Sequence, residues 1–300
     1  MKILVTGASG LLGSKIVRLA TKKDHEIFSG YFNNIPDHGQ PIKFDLQDKE
    51  TIYHAITKIK PNVVIHCAAL TDVDTCETNK TLTKKINIDG VKTIAEITSK
   101  LNSFLVFIST DYVFDGKQGN YRELDKTNPI NYYGYSKLLG ERIIAETNTD
   151  YLISRVSVIY GNKPASGKIN FALWLINNLK NNRDVKILTD QFISPTFNTN
   201  LAEMLLEASE KRLKGIYHMA GASKVSRYEF AEKLADTFNL NKTLIKKVKL
   251  DDMNWKARRP KDTSLDISKA QKDLKMKPIK LDDALESLKE EIDIAQRNFD

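Results

Sequence analysis

Tyr133 and Lys137 stand four positions apart in Ile130-Asn-Tyr-Tyr-Gly-Tyr-Ser-Lys-Leu-Leu-Gly-Glu141, which reads as the opening of a helix just after Pro129. On a helix, residues four apart share a face, with Cβ atoms about 5–6 Å apart; Tyr132 and Tyr135 do not share it. A phenol beside an ammonium can do acid–base chemistry. The lysine charge stabilises a phenolate and draws a pKa of about 10 toward neutrality, where the phenol can pass a proton. The same spacing also arises when a tyrosine packs an amphipathic helix and a lysine reaches past it to water. Deciding between the two requires the elements that would position the pair.

Short apolar, β-branched runs alternate with helical patterns through the first half of the chain, as a parallel sheet covered by helices requires. The expected strands are Lys2–Thr6, Glu26–Gly30, Val63–Cys67, Phe104–Ser109 and Tyr151–Val158, and the helices Leu11–Thr21, Lys49–Lys58, Thr81–Lys100 and Tyr132–Thr147. Past Tyr160-Gly161 the pattern loosens. Helices are expected over Lys168–Asn181, Asn200–Lys211 and Leu281–Asn298, with strands at Val185–Leu188 and Gly215–Met219. Ser226-Arg-Tyr-Glu229 is a capping box opening a helix through Phe238.

The first strand runs into Gly7-Ala-Ser-Gly10-Leu-Leu-Gly13 and then a helix. In that context one glycine allows a tight turn, one lets backbone approach a pyrophosphate, and one brings helix against strand. A glycine-rich turn without a ligand is the alternative. The end of the second strand, Ser29-Gly-Tyr-Phe-Asn-Asn34, lacks the Asp or Glu that would bind an adenosine ribose 2′-hydroxyl, which favours NADPH over NADH. Lys15, Asn33 and Asn34 are candidates to hold a 2′-phosphate, or surface residues. Together these features predict a Rossmann-type doubly wound α/β fold. A dinucleotide-binding domain spans 1–161, with segments around 185–220 contributing, and a smaller mixed α/β substrate-binding lobe spans 162–300.

Composition sets outer bounds. Of the 300 residues, 41% are hydrophobic and 28% charged, an ordinary globular balance. Two cysteines without paired Cys or Cys/His spacing argue against disulfide and zinc frameworks. With no signal-peptide pattern or membrane-length apolar run, a cytoplasmic protein off the membrane is expected. From Asn241 to Lys280, thirteen Lys/Arg face five Asp, which accounts for the whole +8 charge. No nucleic-acid module or stacking aromatics accompany them, so a solvated basic face or a site attracting a phosphorylated small molecule is expected rather than nucleic acid.

Ile108-Ser-Thr-Asp-Tyr-Val-Phe-Asp-Gly116, Tyr121-Arg-Glu-Leu-Asp125 and Pro129–Glu141 closely resemble the dTDP-4-dehydrorhamnose reductase family, in the extended short-chain dehydrogenase/reductase superfamily. Its relatives include the regulatory β subunit of methionine adenosyltransferase. The resemblance continues through PNVVIHCAALTDVD, INIDG, DQFISPT and ARRPKDTSLDISK, covering nearly the whole chain. The Gly-x-x-Gly-x-x-Gly spacing is that of the superfamily's extended branch.

The resemblance implies that Thr110 hydrogen-bonds the substrate carbonyl, Tyr133 donates the proton, and Lys137 binds the nicotinamide ribose and lowers the tyrosine pKa. Asn87 would orient the lysine through water, or be a helix-surface residue. Ser9, Leu11 and Leu12 of the glycine turn, Asp45 and Leu46, and Cys67, Ala68 and Ala69 would line the dinucleotide site; Asp45 alternatively caps the next helix. Asp111, Tyr112, Gln191 and Arg259 would face the substrate, with Arg259 either on a nucleotide diphosphate or in a structural salt bridge. Tyr112 stands where sugar-nucleotide dehydratases carry glutamate, which argues against water elimination.

The implied reaction is NADPH-dependent reduction of the C4 keto group of a dTDP-linked 6-deoxy-4-hexulose by a monomer or homodimer. Two departures qualify it. Arg155-Val-Ser-Val158 lacks the tryptophan that lies against the sugar in many relatives, and Lys15 replaces the glutamate of magnesium-linked dimers, so no metal is expected. A non-catalytic NADP-binding regulatory subunit, or another nucleotide-sugar reductase or epimerase, are the alternatives.

Overall fold

The computed structural model describes residues 1–147, 150–164 and 169–297. Seven parallel strands form the central sheet: β1 (Lys2–Thr6), β2 (Glu26–Tyr31), β3 (Gln40–Lys43), β4 (Val63–His66), β5 (Phe104–Thr110), β6 (Tyr151–Val156) and β11 (Gly215–His218). Their order is β11-β6-β5-β4-β1-β2-β3. It reverses between β1 and β4, which creates the crevice where doubly wound folds take ligands. β4 and β5 are buried along their entire length, as continuous apolar runs in a sheet covered on both faces must be.

Helices α1 (Gly13–Ala20), α2 (Lys49–Ile59), α3 (Val73–Thr78), α4 (Lys80–Lys84), α5 (Gly90–Lys100), α6 (Tyr132–Glu146) and α8 (Asn198–Glu210) serve this sheet. One apolar layer joins α1 and α8 to one face, and a second joins α2 and α5 to the other. The helix expected over Thr81–Lys100 is instead α4, a π-helical turn at Lys85–Asp89, and α5. The wide turn carries Asn87. Strand β3 was not anticipated, because QPIK at a largely exposed edge has neither apolar alternation nor length.

A second apolar core forms the lobe, from α7 (Phe171–Lys180), α9 (Arg227–Thr237) and α11 (Leu281–Arg297) with β8 (Val185–Leu188) and β13 (Ile245–Val248). Short pairs β7 (Ile159–Tyr160) with β10 (Thr196–Phe197), and β9 (Phe192–Ile193) with β12 (Val225–Ser226), join the two regions. Within 185–220, β8 belongs to the lobe, while α8 and β11 belong to the central sheet, as does α10 (Ser268–Asp273). The expected ends at Lys168 and Asn298 lie outside the described residues. No helix among the described residues is long and apolar enough to cross a membrane.

Candidate active site

A cleft of about 710 Å³ opens at the carboxyl ends of the strands, above the point where the strand order reverses. Its floor is the glycine turn, with Gly7, Ser9, Gly10, Leu11, Leu12 and Gly13 all lining it. Gly7 takes φ +67, and a Cβ on Gly13 would lie 2.2 Å from the Gly7 carbonyl oxygen, so any side chain there would break the turn that seats α1. This close-drawn backbone at a helix N-terminus fits a dinucleotide pyrophosphate. Asn33 follows β2, Asp45 and Leu46 follow β3, and Cys67, Ala68 and Ala69 follow β4; all six line the cleft.

Two expectations on this side need correction. Asp45 does not cap α2: Asp48 does, accepting from Glu50 N, while Asp45 Oδ1 accepts from Gln47 N at 2.9 Å and turns the loop. Lys15 does not line the cleft. Its ammonium lies 2.8 Å from Glu291 Oε2 on α11, nearly buried.

The opposite wall holds Thr110, Asp111, Tyr112, Tyr133 and Lys137. Asn131 caps α6 by accepting from Gly134 N, and Glu77 accepts from Tyr132 N, so two side chains fix the helix start that aims Tyr133. The absence of a side chain at Gly134 permits this: a Cβ there would stand 2.1 Å from the Tyr112 carbonyl oxygen. Tyr133 and Tyr112 consequently meet edge to face, ring centroids 6.0 Å apart. Tyr132 and Tyr135 point elsewhere, the first under Lys80 and the second exposed. The shared face of Tyr133 and Lys137 is therefore the cleft face.

Burial dominates the electrostatics. It raises the Tyr133 phenol well above its ordinary value, against the hydrogen bond with the Thr110 hydroxyl. Burial likewise lowers Lys137 to about 7, with Glu141 opposing, and the ammonium sits 4.0 Å over the Phe107 ring. The expected lowering of the tyrosine by lysine is not what this arrangement displays, because desolvation outweighs a charge that is itself being depleted. A phenol kept protonated suits a proton donor. Asp111 is also raised by burial, against hydrogen bonds from Thr263, Ser157 and Thr110, whose hydroxyl donates to Asp111 Oδ1 at 3.0 Å. Cys67 is pushed up to about 12 and is a neutral wall.

Three expected site residues do not line the cleft. Asn87 spends its amide on Leu70 N, Leu70 O and Ser136 Oγ, at 2.9–3.1 Å, and so ties the loop after β4 to α6. Gln191 lies behind the wall, within 3.3 Å of Pro260 O and 3.1 Å of Arg227 Nε. Arg259 lies 3.1 Å from Asp74 Oδ1 and 2.8 Å from Ala257 O, which favours its salt-bridge reading. Arg227 and Phe171 line the cleft and were not anticipated. The capping box located Arg227 on a helix start, but nothing in sequence turns that start toward Tyr112.

The model of the RmlD substrate binding domain family matches residues 1–294. The chain belongs to this family. Among RmlD-family relatives, it is 34% identical to the probable low-salt glycan biosynthesis reductase Agl14 of Haloferax volcanii, over 96% of this chain and 97% of that one. It is 31% identical to a dTDP-4-dehydrorhamnose reductase of Aggregatibacter actinomycetemcomitans over 96% and 98%, and 30% identical to methionine adenosyltransferase 2 subunit beta of Bos taurus over 89% and 81%. A hypothetical dTDP-4-dehydrorhamnose reductase from Sulfolobus tokodaii superposes with a TM-score of 0.85 at 41% identity, over 95% of this chain and 99% of that chain. The Bacillus anthracis reductase in complex with NADP gives 0.87 at 28%, over 97% and 99%. The relatives thus include reductases, one of them solved in complex with NADP, alongside a methionine adenosyltransferase subunit.

Proposed function

We propose that the protein uses NADPH to reduce the C4 keto group of a dTDP-linked 6-deoxy-4-hexulose, converting dTDP-4-dehydrorhamnose to dTDP-L-rhamnose. One observation carries the reading: Thr110, Tyr133 and Lys137 line one wall of a cleft whose floor is a dinucleotide-type glycine turn. When bound, the nicotinamide supplies the hydride. Thr110 and Tyr133 hold the substrate carbonyl by hydrogen bonds, and Tyr133 protonates the oxygen as negative charge develops there. Lys137 in its ammonium form holds the ribose and stabilises the phenolate left behind. The buried wall excludes water from this transfer.

Support for NADPH comes from the absence of an acidic residue at the end of β2, with Asn33 in the cleft instead, and from the NADP complex of the Bacillus anthracis relative. The test is oxidation of NADPH with freshly generated dTDP-4-keto-6-deoxy-L-mannose. The native protein should turn over and Tyr133→Phe should lose about 10²- to 10⁴-fold in kcat, while NADPH still binds. Kinship with the methionine adenosyltransferase β subunit supports a second reading, a non-catalytic regulatory subunit. Absence of turnover with tight NADPH binding, together with co-purification of a partner enzyme, would select it over the reductase.

A further inference from the structure

Asp111 sits where three parts of the chain meet. Its Oδ2 accepts from Ser157 Oγ, just past β6, at 2.8 Å, and from Thr263 Oγ1, on the segment that follows β13, at 2.5 Å. Its Oδ1 faces the Thr110 hydroxyl at 3.0 Å. All four side chains are buried. Thr110 in turn bonds the Tyr133 phenol, so a line of hydrogen-bonded groups runs from Asp111 through Thr110 to Tyr133. The threonine has one proton to give, and its oxygen already accepts from Tyr112 N at 3.2 Å. Beside a carboxylate, that proton is held by Asp111. Beside a carboxylic acid the bond reverses: Oδ1 donates, the threonine oxygen is filled by two donors, and its own proton is released toward the cleft. With Ser157 and Thr263 both donating to Oδ2, the acid proton belongs on Oδ1. Burial favours this neutral form and raises Asp111, against the three hydroxyls and the Arg227 charge from α9; the phenols of Tyr112 and Tyr133 are the other titratable groups that act on it.

We propose that Asp111 is the proton store that recharges Tyr133 through the Thr110 hydroxyl. This rests on the reading of the site as a carbonyl reductase and names the source of its second proton. Reduction delivers a hydride to the carbonyl carbon and the Tyr133 proton to its oxygen, leaving a phenolate in a cleft filled by its ligands. The newly formed alcohol no longer draws on Thr110, whose O–H turns to the phenolate. As that proton leaves, the threonine oxygen takes the one on Asp111 Oδ1. Tyr133 ends as a phenol, Thr110 as a hydroxyl, and Asp111 as a carboxylate that Ser157 and Thr263 stabilise. Water returns the missing proton to Asp111 once product has left. Asn87 offers no parallel line, because its amide is bonded to Leu70 and Ser136. Asp111 thus acts through Thr110, which it also positions.

The experiment is stopped-flow oxidation of NADPH with the keto sugar in excess. Asp111→Asn suits it, because an amide oxygen can still accept from Ser157 and Thr263 and its N–H₂ can still donate to Thr110, yet it releases no proton. That variant should oxidise one equivalent of NADPH per site quickly and then continue about 10²-fold more slowly, whereas native protein proceeds at one unbroken rate. Thr263→Val, which loosens the same cluster but keeps the acid, should show no such burst. Infrared spectra of the NADP⁺-bound native protein at neutral pH should contain a carboxylic-acid carbonyl band that moves to higher frequency in Thr263→Val, identifying Asp111 without replacing it. Turnover by Asp111→Asn at one native-like rate overturns the store, as does a native spectrum with no acid band that responds to Thr263. A burst in Thr263→Val equal to that in Asp111→Asn overturns it too, because a loosened cluster would then suffice. A native protein that binds NADPH but does not turn over the keto sugar removes the reductase reading and the store with it, whereas native turnover without a burst in Asp111→Asn removes the store alone.

Discussion

At the scale of single residues, the site depends on two groups whose ordinary chemistry burial has shifted in opposite senses. Lys137 falls from 10.5 to about 7, so its ammonium fraction declines as pH rises through neutrality. If the ammonium is the working form, kcat/KM for NADPH should drop by about tenfold per pH unit above 7, and Lys137→Met should abolish that limb along with most activity. A flat profile between pH 6 and 9 would remove the lysine from the proton economy. Gly134 is a different dependence, purely steric. Its added Cβ would fall 2.1 Å from backbone, and overpacking of that kind costs about 1–3 kcal/mol. Gly134→Ala should lower the free energy of unfolding in a urea titration by that amount and cut activity disproportionately, because the displaced partner is the Tyr112 carbonyl. An active, fully stable alanine variant would show that α6 can slide.

At the scale of elements, α6 is fastened to β5 and β6 by a buried charge pair. Arg155 offers Nε and Nη2 to the two Glu141 oxygens at 2.9 and 2.7 Å, Ser109 donates to the same carboxylate, and both ionic side chains are almost wholly buried. Removing one partner leaves the other charged without compensation. Arg155→Met should therefore cost about 3–5 kcal/mol in urea unfolding, whereas pairing it with Glu141→Leu should recover most of the loss. A single variant no worse than the double would contradict the buried-charge account. Much at this scale was legible in sequence. β1 falls at Lys2–Thr6 and β8 at Val185–Leu188 as expected, and the Ser226–Glu229 capping box is present. The glycine turn and the Tyr133–Lys137 face were readable because they depend on spacing along one element. The π turn that breaks Thr81–Lys100, and the placement of Arg227, Arg259 and Gln191, were not, because they depend on what packs across from them.

For the whole molecule, two buried histidines, each ending a strand of the central sheet, shape its response to acid. His66, the last residue of β4, is lowered from 6.5 to about 3 by burial and by Lys137, and His218, the last residue of β11, likewise to about 3 by burial and by Arg155. The unfolded chain thus binds more protons than the native one between pH 6.5 and 3. Their contribution is complete above 6.5 and disappears as pH falls toward 3, at about 1.4 kcal/mol per pH unit for each histidine. Unfolding free energy measured from pH 7 to 4 should fall accordingly, and His218→Asn should reduce the slope by about one proton. An unchanged slope would mean that His218 is charged in the fold. A last consequence lies in the Glu291 carboxylate, which joins Lys15 on α1 to Thr199 on α8 although it stands 276 positions beyond the lysine. During synthesis the glycine turn emerges early, but the clasp behind it closes only when residue 291 has left the ribosome. The packing that ties α1 to α8 and α11 behind the glycine turn is therefore finished late.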